Sequence, residues 1–256
     1  MIRTITATQY VTPLREGGSL PAIVEGDDDG TYVLKFRGAG QGPKALIAEL
    51  VSGELGRRIG LPVPEIVFAE LDPRMAKTEP DPEIQELLQR SAGLNLALDY
   101  LPGSITFDPL VEQHMNGIAR LASSIVWFDA LVTNVDRTPR NTNLLVWHRA
   151  VWMIDHGASL YFHHAIDADA LAKSRGAFPQ IKDHVLLALA TELRAADEEL
   201  SAKATPEIIE DVVRLIPDQW LDAEEHRGIY TTWLQQRLEA PREWVEEAIR
   251  AHALRV

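Results

Sequence analysis

Up to Leu101 the apolar residues alternate with polar ones in short runs, and beyond Val111 they recur every three or four positions. The first period is that of strands and the second that of amphipathic helices. Ser19–Glu25 and Thr31–Phe36 read as two strands. Gly26-Asp-Asp-Asp-Gly30 joins them, with residue types that tolerate the backbone angles of a hairpin turn. Residues 44–59 carry apolar positions at helical spacing, and Gly60 is placed to cap that helix. Pro62–Glu70 and Asn95–Tyr100 read as further strands, the latter ended by Leu101-Pro-Gly-Ser104. Gly117–Val132 is a long helix whose only charges are Arg120 and Asp129, so it is expected at the centre of the molecule. Two short apolar runs, with His148 in the turn between them, make a hairpin within Asn134–Gly157. Helices follow over His184–Leu200, after Thr205-Pro206, over Glu225–Leu238 and over Arg242–Leu254. The expected fold class is α+β, with a β-rich lobe over residues 1–101 and a mainly helical lobe over 102–256.

The totals narrow the function. The 256 residues, 46% hydrophobic and 25% charged, suit one large domain or a two-lobed unit. No apolar run is long enough to span a membrane, and the start lacks the basic and apolar regions of a signal peptide. There is no cysteine, which excludes disulfides and thiolate metal sites and fits a cytoplasmic protein. A net charge of −13 argues against a broad nucleic-acid-binding face. Only six residues are lysines, so one inside an apolar strand stands out.

That lysine is Lys35, in Thr-Tyr-Val-Leu-Lys-Phe. It shares a strand face with Val33, opposite Tyr32, Leu34 and Phe36. Such a lysine needs an anion, and nucleotide phosphates would serve, although edge strands also carry lysines that keep other sheets away. Glu49 on the next helix, among Leu46, Ile47, Leu50 and Val51, is placed to hold Lys35, with Glu54 as the alternative. Asp136 follows the central helix, Asn141 comes five residues later, and Asp155 closes the hairpin. Singly, each is an ordinary turn residue. Together they match the way a phosphotransferase places a base and its Mg2+ ligands beside ATP. Asp136 would align an attacking hydroxyl and take its proton. Asn141, or alternatively Asn143, would join Asp155 as a metal ligand.

Other chemistries find less support. Gly38-Ala-Gly-Gln-Gly42 has Pro43 where a dinucleotide fingerprint needs its third glycine, and it lacks a Walker Gly-Lys-Ser/Thr. It reads as a strand-to-helix connection. Gly17-Gly18 is the better candidate for a loop over phosphates. His148, His156, His163 and His164 lack metal-site spacing, and there is no Gly-x-Ser-x-Gly elbow. The Trp and Phe residues beyond Val111 read as core.

Thr31–Phe36, Glu49 through Gly60-Leu-Pro-Val-Pro-Glu65, Asp136-Arg-Thr-Pro-Arg-Asn141 and Val151–Asp155 together resemble the HipA-like kinases, in that family's order and over most of the chain. The resemblance implies a two-lobed protein-kinase-like fold with ATP in the cleft. It implies Lys35 on the phosphates, Glu49 as its tether, Asp136 as base, and Asn141 and Asp155 as Mg2+ ligands. It also implies a hinge over Ala97–Leu101, where the backbone of Asp99, Tyr100 and Leu101 would meet adenine. Three features depart from protein kinases: no His-Arg precedes Asp136, Arg137 follows it as in lipid kinases, and Asp155-His-Gly replaces Asp-Phe-Gly. The expected activity is transfer of the ATP γ-phosphate to a hydroxyl, a protein serine or threonine being one acceptor class. A nucleotide-binding scaffold without turnover and a small-molecule or lipid kinase are the competing readings.

Overall fold

The structure, a computed structural model, describes residues 2–14, 20–166, 170–222 and 226–255. Gly17 and Gly18, the expected phosphate loop, lie outside the described residues, as does Ser19. In chain order the elements begin with β1 (Thr4–Pro13), β2 (Ala22–Gly26), β3 (Thr31–Lys35), α1 (Pro43–Arg58) and β4 (Ile66–Leu71). They continue with α2 (Pro82–Arg90), β5 (Gly93–Asp99), β6 (Ile105–Thr106), α3 (Pro109–Glu112) and α4 (Ile118–Leu131). The hairpin β7 (Leu144–Trp147) and β8 (Ala150–Met153) precedes α5 (Leu193–Lys203), α6 (Pro206–Val213), α7 (Arg227–Leu238) and α8 (Glu243–Ala253).

The first five strands close into a barrel in the order β1-β2-β3-β5-β4, with β1 and β4 meeting in parallel. Closure follows from alternation. Tyr32 and Leu34 point inward to a small core with Val24, Val67 and Ala97, while Val33 and Lys35 face outward. The β2–β3 turn and the outward face of Lys35 agree with the sequence reading. β4 starts at Ile66 rather than Pro62, because Pro62 and Pro64 have no N–H to give a ladder. Gly60, with φ 93°, ends α1, and its N–H reaches the Arg57 carbonyl.

The larger core runs from Leu46 of α1 through α4 to Ala251 of α8. α4 lies at its centre, with Ile125, Val126 and Phe128 buried, as its sparse charge predicts. Trp127, Trp220 and Trp244 are also buried there. The helix expected over His184–Leu200 begins only at Leu193. Residues 179–189 form short 3-10 turns, because His184 bonds inward to Asp129 and its Nδ1 accepts the Leu186 N–H. Pro206 starts α6, and the Thr205 hydroxyl caps it by accepting from Ile208 N–H. His148 and Arg149 both have positive φ (49° and 62°), the geometry of a two-residue hairpin turn between β7 and β8. α2 carries signals that the sequence reading passed over. Asp81 caps it, Pro82 opens it, and Ile84, Leu87 and Leu88 form its buried stripe.

Candidate active site

Five of the residues singled out from sequence line one cleft of about 340 Å³: Lys35, Glu49, Asp136, Asn141 and Asp155. β3 supplies Lys35 from its outer face. Its Nζ lies 2.9 Å from Asp155 Oδ1 and 3.6 Å from Glu49 Oε2. Burial by itself would lower the Lys35 pKa, but the charges of Asp155 and Glu49 outweigh it and hold the ammonium above the usual lysine range. Glu49 is buried on the inner face of α1. Burial works to raise its pKa, yet the Lys35 charge and the hydrogen bonds from His156 bring it down to about 2. Glu54, the alternative partner, pairs instead with Arg57 and Arg58 one turn further on.

Asp136 sits in a tight loop after α4. Its N–H donates to Asn134 Oδ1, and its carbonyl accepts from Thr138 N–H. Asn141 Nδ2 donates to Asp136 Oδ2 at 2.7 Å and Asn143 Nδ2 to the same oxygen at 3.3 Å. Asn143 is buried and Asn141 exposed, and of the two only Asn141 lines the cleft that holds Asp136. Giving its amide nitrogen to Asp136 leaves Asn141 Oδ1 as an acceptor. Asp155, 37% exposed and at φ 54°, carries its carboxylate out of the hairpin into the cleft.

Beneath this loop lies a group that sequence reasoning did not find. Asp129 has no exposed surface and takes Arg137 Nε at 2.5 Å and His184 Nε2 at 2.9 Å. Arg137 also donates to the carbonyls of Asn143 and Ile154, so one guanidinium ties α4 to both ends of the hairpin. Burial would raise the Asp129 pKa, and the Arg137 charge with the His184 hydrogen bond holds it below the usual carboxylate range. His184 accepts from Leu186 N–H at Nδ1, so its proton resides on Nε2 and points at Asp129. The signal in the sequence was Asp129 itself, a lone acid in an apolar helix.

A second cavity, of about 560 Å³, adjoins the first and shares Lys35, Asn141 and Asp155 with it. Asp99, Tyr100 and Leu101 line it, with Val33, Leu98 and Leu145 among its apolar walls. Asp99 N–H is taken by the Glu65 carbonyl at 2.8 Å and Tyr100 N–H by that of Thr31 at 3.0 Å. No backbone carbonyl among the described residues takes the Leu101 N–H. The Gly38–Gly42 segment, read from sequence as a connection, does connect β3 to α1. Its Ala39, Gly40 and Gln41 also line the first cleft beside Lys35. Among the described residues no three His, Asp or Glu side chains gather closely enough to hold a metal by themselves. A cation here would rest on the Asp155 carboxylate, an amide oxygen and oxygens of a bound ligand, which is how Mg2+ is commonly held.

The family model described as HipA-like kinase matches residues 8–247. Among solved structures, the Helicobacter pylori proinflammatory kinase CtkA is similar at TM-score 0.60 and 13% identity, covering 100% of this chain and 99% of that one. The Golgi casein kinase is similar at TM-score 0.52 and 12% identity, covering 99% of this chain and 74% of that one. Its structure with Mn/ADP bound gives 0.51 and 12% over the same shares. At these identities the likeness shows a protein-kinase-like fold. No curated protein sequence matches significantly.

Proposed function

The chain belongs to the HipA-like kinase family, and we propose that it is an ATP- and Mg2+-dependent phosphotransferase moving the γ-phosphate to a hydroxyl, with a protein serine or threonine as acceptor. One observation carries the reading: Lys35, paired with Asp155 at 2.9 Å and Glu49 at 3.6 Å, shares a single cleft with Asp136 and Asn141. Phosphoryl transfer asks a protein mainly for position and charge neutralisation, and this set offers both. Adenine would enter the second cavity, with the Leu101 N–H, which no backbone carbonyl among the described residues takes, as its hinge donor. The phosphates would then extend toward Lys35, displacing Asp155 from the ammonium. Asp155 and Asn141 would hold the divalent cation, which supplies charge neutralisation at the phosphate oxygens. Asp136, held by the Asn141 amide, would orient the acceptor hydroxyl and receive its proton.

A groove of about 580 Å³ between Thr106–Pro109 and Pro139–Leu145 shares Arg140, Asn141 and Asn143 with the nucleotide cavity. A groove open to the surface at the catalytic loop suits an extended protein segment better than an enclosed small metabolite, which favours the protein acceptor. Transfer of labelled γ-phosphate to protein acceptors, together with the thermal shift caused by Mg-ATP, tests the reading. Asp136→Ala should abolish transfer while keeping the Mg-ATP shift, and Asp155→Ala should lose both. Full transfer by Asp136→Ala would remove Asp136 from its role as base.

A further inference from the structure

His156 occupies the middle of Asp155-His-Gly157, and its ring has no exposed surface. Its backbone N–H donates to Glu49 Oε2 at 3.0 Å, and its Nδ1 lies 3.3 Å from Glu49 Oε1. An ionised carboxylate only accepts, so Nδ1 is the donor. One residue thereby engages both oxygens of Glu49. The opposite ring nitrogen, Nε2, is buried without a hydrogen-bond partner among the described residues, and the imidazole meets the ring of Phe128 edge to face (centroids 6.4 Å apart, 79°). A buried polar atom left alone costs stability that a phenyl ring of similar size would not. The imidazole therefore disfavours this place on one side, and what it contributes on the other is the bond to Glu49.

We propose that His156 is a positioning residue: its imidazole fixes the Glu49 carboxylate, and through it the Lys35 ammonium, in the geometry that receives nucleotide phosphates. The inference rests on the kinase reading above and names a residue that acts within that same site without touching substrate. Contacts run from Lys35 to Glu49, from Glu49 to His156, along the chain to Asp155, and from Asp155 back to Lys35. The circuit joins β3, α1 and the segment after β8. Lys35 is nearer to Asp155 than to Glu49. When Asp155 turns to a cation, Glu49 becomes the remaining anchor of Lys35. An anchor with two rotatable oxygens holds position only if something else holds it, and His156 does so from the buried interior.

The test compares His156→Phe, which keeps a ring and removes the donor, with His156→Asn, whose amide nitrogen stands where Nδ1 stood. His156→Phe should raise the KM for ATP about ten-fold, the size expected for one lost hydrogen bond to a charged group, with the acceptor KM unchanged. His156→Asn should restore most of it. In a Glu49→Gln background, His156→Phe should add little, because both changes act on one contact. Acetylation of Lys35 in the nucleotide-free protein, followed by mass spectrometry, should quicken in His156→Phe and not in His156→Asn. A wild-type ATP KM and labelling rate in folded His156→Phe would overturn the proposal. So would His156→Asn failing as His156→Phe does, or full multiplication of the two defects in the double variant. If the unaltered chain transfers no phosphate to any acceptor, the kinase reading falls, and the Lys35 labelling still decides the role of His156.

Discussion

Asp129 and Arg137 are both fully enclosed, and neither touches the cleft. Two charges removed from water stabilise a fold only when each finds the other and its remaining hydrogen-bonding capacity is filled. Here Asp129 takes His184 and Asn134 besides Arg137, and Arg137 reaches two hairpin carbonyls, while its Nη2 is buried without a hydrogen-bond partner among the described residues. Removing one partner leaves a buried charge alone. Asp129→Ala should therefore lose about 3–5 kcal/mol in urea unfolding. Replacing both residues together by apolar ones of similar volume should recover much of that stability, since no charge is then stranded. It should not recover phosphate transfer, because Asp136 would lose the loop that the pair holds. Recovery of both in the double variant would show that the pair does not position the loop.

Among the elements, the end of α4 decides where the Asp136 loop begins. Helices leave their last carbonyls without partners and carry partial negative charge there. Arg237 of α7 supplies the complement, donating to the carbonyls of Ala130 and Leu131 and, at its other end, to those of Ser174 and Gly176. It has no carboxylate partner among the described residues. Burial pushes its pKa down to about 9, and the faces of Trp233 and Trp244, at 5.2 and 5.3 Å, flank the guanidinium. Arg237→Met should cost roughly 3 kcal/mol in urea unfolding, because several buried carbonyls lose their donors at once. Phosphate transfer should fall as well, since the Asp136 loop leaves α4 at the end that Arg237 holds. A variant as stable as the parent would show that water or a shifted side chain serves those carbonyls equally well.

For the molecule as a whole, the large core shared by α1 and the C-terminal helices couples the cleft to overall stability, and acid should expose that coupling. Burial, with the nearby His164 and Lys44 charges, pushes the His163 pKa down to about 3. Burial also lowers His184, against the pull of Asp129. A histidine whose folded pKa lies below its unfolded value binds fewer protons when folded. Its stabilisation is complete above pH about 6.5 and is lost as the pH falls toward the folded value. Between pH 7 and 5 His163 should account for a loss of about 2 kcal/mol, with His184 adding to it in the same direction, read as a falling urea midpoint. His163→Phe should flatten that slope whatever it does to stability at pH 7. An unchanged slope would mean that His163 takes up a proton in the folded state.

The polar skeleton of the site is legible in the amino-acid sequence. Lys35 on an apolar strand face, Glu49 within an apolar helix run and the Asp136–Asn141 spacing are local patterns, and local patterns follow from the period of the backbone. The same holds for the hairpin turn at His148, the cap at Thr205 and the end of α1 at Gly60. Three things came only with the tertiary structure. Glu49 was separated from Glu54 by which face of α1 turns toward the outward side chain of Lys35. The run from His184 formed 3-10 turns rather than a helix, because a buried carboxylate on a distant helix claimed its imidazole and local propensity gave way. The buried roles of Arg137, His156 and Arg237 have no local signal, and His156 and Arg237 found their partners more than a hundred residues away along the chain. Spacing determines what one element can present. Which charges are buried together, and so which residues hold the cleft in shape, depends on contacts between elements that no local pattern records.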